Sequence, residues 1–116
     1  LLPPREDVAS YYRMADVFLS PSRQEGFCYA LIEAAYCLTP VLASAIDAQR
    51  DLALPQEAFF PPQDANALSD ALAQVFAEPD SPQRAEKLRL AGARVVETYS
   101  LSHWAEQVAA VYEEIL

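Results

Sequence analysis

The sequence predicts an α/β domain built on a partial parallel sheet of about three strands with helices flanking it. Short, continuously apolar runs at Val17 to Ser20, Val41 to Ala43 and Ala58 to Phe60 alternate with segments of helix formers. Strands covered on both faces read as unbroken apolar runs, and alternation with helices makes a parallel sheet. The second half of the chain places apolar residues at helical spacing throughout, so it adds helices and no strand.

Pro3-Pro4 precede Arg5 to Met14, where Val8, Tyr12 and Ala15 share a helical face and predict a short helix. Val17 to Ser20 is the first strand. Gly26 to Leu38 reads as a helix, because Ala, Leu, Ile and Glu fill it and no breaker interrupts it. Thr39-Pro40 stops it before the strand Val41-Leu42-Ala43. Ala48 to Leu54 is read as a helical turn ended before Pro55. Ala58-Phe59-Phe60, just before Pro61-Pro62, is a short edge strand, where prolines are tolerated.

Asp64 is a good N-cap for a helix whose Leu68, Leu72, Val75 and Phe76 make one stripe. Ser81 with Pro82 at the first helical position opens another, with Leu88, Ala91, Val95 and Tyr99 on one face. Ser100 or Ser102 caps the last, where Trp104, Val108, Val111 and Ile115 recur at i, i+4, i+7 and i+11. Each stripe is read as a core face. Three strands make a thin sheet, and a fuller one needs residues upstream of Leu1. The start at Leu1 instead of Met also reads as a piece of a longer protein.

At 116 residues the chain makes one domain, 1–116, able to bury roughly two-thirds of its unfolded surface. The net charge of -9 argues against nucleic acid and anionic membranes, which need clustered Lys and Arg. No apolar stretch reaches the length of a membrane span, and no signal peptide is visible, so the protein is expected in the cytoplasm. Cys28 and Cys37 lack metal-ligand spacing and are read as reduced, buried thiols, and no metal site is expected.

The chemistry concentrates in Glu25-Gly26-Phe27-Cys28-Tyr29-Ala30-Leu31-Ile32-Glu33, which follows the first strand and Pro21-Ser22. Glu33 is the one charge between Gly26 and Leu42, so a polar partner should face it if the run is buried. Ligands of open α/β sheets bind beyond the carboxyl ends of the strands, where Ser20 to Gly26 falls. A helix starting near Gly26 would offer unpaired N–H groups to a phosphate, and the glycine would let a ligand approach the backbone. Were the segment helical throughout, the two carboxylates would stand on the order of 12 Å apart. That exceeds the roughly 5 to 9.5 Å of a glycosidase pair and suits gripping two ends of one extended ligand. Taken singly, Glu25 is an ordinary loop glutamate and Glu33 a solvent-reaching helix residue; the block as a whole favours a site.

Pro21-Ser22, Glu25-Gly26-Phe27-Cys28, Glu33-Ala34, Cys37-Leu38-Thr39-Pro40-Val41 and Ala43-Ser44 resemble the C-terminal, donor-binding domain of retaining GT-B glycosyltransferases of the group 1 type. That family runs Pro-Ser, Glu-Gly-Phe-Gly, Glu-Ala, Gly-x-Pro-Val and a small residue, with an E-x7-E spacing kept here. The resemblance continues through Phe60-Pro61 to Tyr99-Ser100-Leu101-Ser102-His103-Trp104 and Tyr112. It implies the latter part of a Rossmann-like domain with a nucleotide-diphosphate-sugar site and no cofactor. Glu25 would hold donor-sugar hydroxyls as the catalytic carboxylate, the N–H groups of Gly26, Phe27, Cys28, Tyr29 and Ala30 the sugar and diphosphate, and Glu33 the ribose.

Cys28 and Cys37 are read as standing where the family has glycines, and Asp47-Ala48-Gln49-Arg50-Asp51 replaces a more usual Gly-Gly-x-Pro-Glu. The cations for the diphosphate and the N-terminal acceptor domain would lie upstream, so the isolated chain is expected to be inactive and to self-associate through its cut sheet. The acceptor is not specified. Two other readings stand beside this one: a non-catalytic nucleotide-sugar-binding or interaction module, and another GT-B enzyme such as a sugar-nucleotide epimerase or a phosphorylase.

Overall fold

A computed structural model describes residues 3–115. Its first element is α1 (Val8–Met14), followed by β1 (Phe18–Ser20), α2 (Tyr29–Tyr36), β2 (Val41–Ser44) and the single turn α3 (Asp47–Arg50). A 3-10 turn (Gln56–Ala58) leads into β3 (Phe59–Phe60), and α4 (Ala65–Ala77), α5 (Pro82–Tyr99) and α6 (Leu101–Ile115) complete the chain. The three strands form one parallel sheet, as expected, and lie in the order β1-β2-β3. Phe18 pairs with Val41 and Ser20 with Ala43, while Ala43 pairs with Phe59. Both serines, Ser20 and Ser44, therefore end their strands on the same edge of the sheet.

The core lies between the sheet, α2 and α5. Leu31, Ala34, Ala35, Leu42, Ala43, Leu52, Leu54, Ala58, Phe60 and Val95 are buried in it. The helix starts follow the expected chemistry. Asp64 accepts a hydrogen bond from the Ala67 N–H at 2.9 Å, and Ser81 accepts one from Arg84 N–H at 3.2 Å with Pro82 in the first turn. Ser100 caps α6 by accepting from the His103 N–H at 3.2 Å.

Three expectations change. The helix predicted over Gly26 to Leu38 begins only at Tyr29, because the chain from Ser22 to Cys28 takes loop backbone, with Cys28 outside the helical region at φ -89°, ψ 80°. Cys28 and Cys37 are part-exposed free thiols, since they sit at the two caps of α2 and not on its inner face. On α6, Trp104, Val111 and Ile115 stand 59%, 55% and 74% exposed, because that helix packs only on the end of α5 among its neighbours of any size. Its apolar stripe is therefore a surface in the described residues. Phe76 of α4 is likewise exposed, while Leu68, Leu72 and Val75 are half-buried.

The end of α2 shows which position wants a glycine. Thr39 N–H bonds to the Ala34 carbonyl (3.1 Å) and Leu38 N–H to the Ala35 carbonyl (3.0 Å), the pattern of a Schellman turn. Leu38 is its left-handed residue, at φ 64°, whereas Cys37 sits at φ -76°. The residue standing where the turn favours glycine is thus Leu38 and not Cys37. Leu38 also bears on Gly92 of α5: a Cβ there would lie 3.0 Å from the Ala35 carbonyl oxygen and 3.1 Å from Leu38 Cδ2. Gly92 is a packing glycine that lets α5 touch the backbone of α2.

Leu38→Gly is expected to stabilise the fold by about 1 kcal/mol, since a Cβ in the left-handed region is strained. Gly92→Val is expected to destabilise it by about 2 kcal/mol through overpacking against a backbone carbonyl that cannot turn aside. Both are read as shifts of the urea midpoint. A Leu38→Gly chain with an unchanged or lower midpoint would mean that the leucine's contact with α5 outweighs the strain of its backbone.

Candidate functional site

Glu25 lies in the loop that leaves the carboxyl end of β1, and Glu33 lies on the outer face of α2. Both carboxylates are exposed. The condition of burial is not met at Glu33, because Leu31, Ala34 and Ala35 turn inward and leave Glu33 on the opposite, exposed face. A polar partner meets it all the same. Tyr12 of α1 donates its hydroxyl to Glu33 Oε2 at 2.9 Å. Ser22 donates its own to Glu25 Oε1 at 2.7 Å. Each carboxylate is therefore fixed through one oxygen, and the other oxygen meets no protein donor among the described residues.

Tyr12 is itself held at three points. Its ring packs edge-on against Phe18, with centroids 5.5 Å apart. Its carbonyl accepts the hydroxyl of buried Thr39 at 2.7 Å, and its own hydroxyl is on Glu33. Partial burial, then the hydrogen bond to Glu33, push the Tyr12 phenol up to about 12. The sequence offered no signal for this pair, since 21 residues separate the partners.

Between the glutamates the backbone is open. Tyr29 N–H is engaged by the Phe27 carbonyl at 3.2 Å, while among the described residues those of Gly26, Phe27, Cys28 and Ala30 are without a backbone acceptor. The late start of α2 places the N-terminal turn at Tyr29 and removes the premise of uniform helical rise between Glu25 and Glu33. A Cβ on Gly26 would meet nothing within 4 Å. Neither a positive φ nor a close neighbour calls for glycine here, and the space beside it is open. Phe27 stacks edge-on with Tyr29 at 4.8 Å and with Tyr99 of α5 at 5.6 Å, pinning the loop to the end of α5. Tyr99 in turn accepts the Ala53 N–H at 3.1 Å and donates to the Asp51 carbonyl at 3.3 Å.

A hollow of about 230 Å³ lies beside Glu33, lined by Ile32, Tyr36, Val96 and Tyr99 among others. A more enclosed cavity of similar volume sits between α4, α5 and the amino end of β2, where none of the predicted site residues reaches. Ser20, Ser22, Glu25 and Ser44 stand at the carboxyl edge of the sheet, where ligands of open α/β sheets bind, so the candidate site is taken there and not in that cavity. No group of three or more His, Cys, Asp and Glu side chains among the described residues could hold a metal ion, and no described helix is long and apolar enough to cross a membrane.

These features define an α/β domain with a carboxylate-bearing loop at the carboxyl edge of its sheet. Residues 2–91 match the family described as Glycosyl transferases group 1, and the chain belongs to that family. It is 36% identical over 110 residues to a phosphatidyl-myo-inositol mannosyltransferase of Mycobacterium leprae, covering 92% of this chain and 29% of that protein. An MMP alpha-(1->4)-mannosyltransferase of Mycolicibacterium hassiacum is 31% identical over 115 residues, 96% of this chain and 27% of the relative. The solved sucrose-phosphate synthase of Thermosynechococcus elongatus superposes with a TM-score of 0.75 at 36% identity, over 93% of this chain and 27% of that one. The fold is accordingly that of the GT-B C-terminal domain the sequence resembles, and the chain spans under a third of the length of these relatives.

The folded chain holds the Tyr12 proton to higher pH than a free tyrosine does. The pair's contribution to stability should then be complete below about pH 10 and be lost as the pH rises towards about 12. Alkaline titration of tyrosinate absorbance should show a late component that Tyr12→Phe removes. A late component that Glu33→Gln leaves in place would detach it from the pair and leave burial as its cause.

Proposed function

We propose that this chain is the donor-binding part of a retaining glycosyltransferase, a hexosyltransferase that uses a nucleotide-diphosphate sugar. Glu25 holds hydroxyls of the donor sugar, the open N–H groups of the Gly26 to Ala30 segment take the sugar and diphosphate, and Glu33 takes the ribose. What carries the reading is the shared state of the two carboxylates, each tied by a single hydroxyl and left with one free oxygen. A carboxylate so held is an oriented acceptor for ligand hydroxyls. Glu25 also stands where positive charge would develop on the donor sugar as the leaving diphosphate departs, and a fixed negative charge favours that transition state over the ground state. The chain's own charge of -9 makes the diphosphate dependent on backbone donors and on cations from protein outside these 116 residues. The acceptor would be bound there too, so the chain alone is not expected to transfer sugar.

Under this division of roles, Glu33→Ala in the intact protein should weaken donor and free nucleoside diphosphate alike. Glu25→Ala should weaken the donor and spare the free nucleotide. A hydrogen bond to a charged group is worth about 1.5 to 3 kcal/mol, so each affected affinity should fall roughly 10- to 150-fold. Calorimetry with uridine, guanosine and adenosine diphosphates and their hexoses decides it. Equal loss of free-nucleotide binding in both variants refutes the division, and no loss in either removes the donor site.

The isolated chain is expected to self-associate. β1 is an edge strand of the sheet, and Trp104, Val111, Tyr112 and Ile115 leave apolar surface along α6. Light scattering at high micromolar concentration should report a mass above the monomer's, and a monodisperse monomer would refute this.

A further inference from the structure

At the carboxyl ends of β1 and β2, three polar side chains are shut away from water: Ser20 is 7% exposed, Ser44 1% and Gln49, from α3, 0%. A fully buried amide is costly unless both its ends are paired, and a leucine or methionine would fill the same space without that demand. The two ends of the Gln49 amide reach the two strand-terminal hydroxyls. One lies 2.6 Å from Ser20 Oγ and the other 2.9 Å from Ser44 Oγ. Ser44 Oγ also makes a close contact with the carbonyl oxygen of Ser22 and lies 3.4 Å from that of Ser20.

The protons decide which way the amide faces. With its oxygen towards Ser44, three acceptor oxygens would crowd a hydroxyl that owns one proton. The structure sets the amide nitrogen on Ser20 and its oxygen on Ser44; turned over, each of the two contacts has one donor and one acceptor. The amide N–H donates to Ser44 Oγ, Ser44 donates to the Ser22 carbonyl, and the Ser20 hydroxyl donates to the amide oxygen. The separations agree, since 2.6 Å is ordinary for O–H···O and short for N–H···O, while 2.9 Å is ordinary for N–H···O.

We propose that Gln49 is a positioning residue for Glu25, acting through Ser44 and Ser22. The amide aims the Ser44 hydroxyl at the Ser22 carbonyl, which fixes the backbone of Ser22. The Ser22 hydroxyl then donates to Glu25 Oε1 at 2.7 Å. Glu25 is exposed in a loop and has no other side-chain partner among the described residues, so this buried triangle determines where its carboxylate stands. The inference rests on the reading of Glu25 as the carboxylate that grips the donor sugar.

The test is a double-mutant cycle in the intact protein. Gln49→Met keeps the length of the side chain and removes its donor and acceptor. The readout is donor hydrolysis, followed as released nucleoside diphosphate, with whichever uridine, guanosine or adenosine diphosphate hexose binds. Gln49→Met should lower kcat/KM for the nucleotide sugar roughly 10-fold, leave the affinity for the free nucleoside diphosphate unchanged, and cost nothing further in a Glu25→Ala background. Leu88→Ala, at the cavity between α4 and α5, should lower stability and leave kcat/KM as it was. Should Gln49→Met fail to fold, Ser22→Ala breaks the same path at its surface end and must reproduce the loss and its absence in the Glu25→Ala background. A loss of free-nucleotide affinity equal to that of the donor, or an undiminished loss in the Glu25→Ala background, would mean that the amide serves only the fold and overturns the inference while the donor site stands. Full activity in Glu25→Ala would overturn both.

Discussion

The depth to which α2 sinks between the sheet and α5 governs where the site residues stand. Its inner face carries Leu31, Ala34 and Ala35, all buried to within 2% exposure. Alanines at two of these positions keep the helix thin, and Gly92 lets α5 come down onto the carbonyl of Ala35. Leu31 then fills the space between the sheet and Val95, a burial worth about 2 kcal/mol relative to solvent. A helix seated this way has no rotational freedom left. Its outer face is fixed as a consequence, and that face carries Glu33, so the hydroxyl of Tyr12 finds its partner at bonding distance. A slip of one turn, about 5.4 Å, would part the two altogether.

The hydrogen bonds at the site fall into two energetic kinds. Those to Glu33 and Glu25 are made at the surface, where water competes and a net contribution of about 1 kcal/mol is usual. They contribute little to folding, and their effect is on orientation: each removes rotamer freedom that a ligand would otherwise have to remove on binding. The bonds among Ser20, Ser44 and Gln49 are made out of water, where losing one partner leaves a buried polar group unpaired. The buried set is rigid because breaking it is costly. Of the exposed bonds, the one to Glu25 inherits that rigidity through Ser22, which Ser44 holds by its carbonyl.

The strands and helices were legible in the sequence because their signals are local. The apolar runs gave all three strands, and Asp64, Ser81 and Ser100 marked the starts of α4, α5 and α6. The sequence reading starts α2 three residues early, because it takes Gly26 as the helix's first residue and Phe27 and Cys28 carry nothing that tells an apolar loop from an apolar helix. The stripe on α6 has the spacing of a core face, and periodicity says which residues share a side without saying what covers it. Glu25, Gly26 and Glu33 stand out in the sequence as candidate site residues from their block alone. Tyr12 and Gln49 do not, since each acts across 20 residues or more, on Glu33 and Ser20 respectively. One local signal for Gln49 existed: Ser20 and Ser44 end two otherwise apolar strands, and buried hydroxyls require partners from somewhere.

Those two serines mark the line at which scaffold becomes site. Leu19 and Ala43 continue the apolar strands, and the next residue in each case is a buried serine. A valine in either place would prolong the sheet and bring the edge to an end with unpaired carbonyls facing the loop. A serine ends the strand with a hydroxyl small enough to stay buried and able to bond the turning backbone, as Ser44 does for the carbonyl of Ser22. The change of character within one residue lets a dry, close-packed sheet hand its rigidity to a wet loop. An exposed glutamate in a loop with a glycine beside it would otherwise be among the least constrained groups in the molecule. Here it stands one hydroxyl away from a stretch of backbone that buried Ser44 holds.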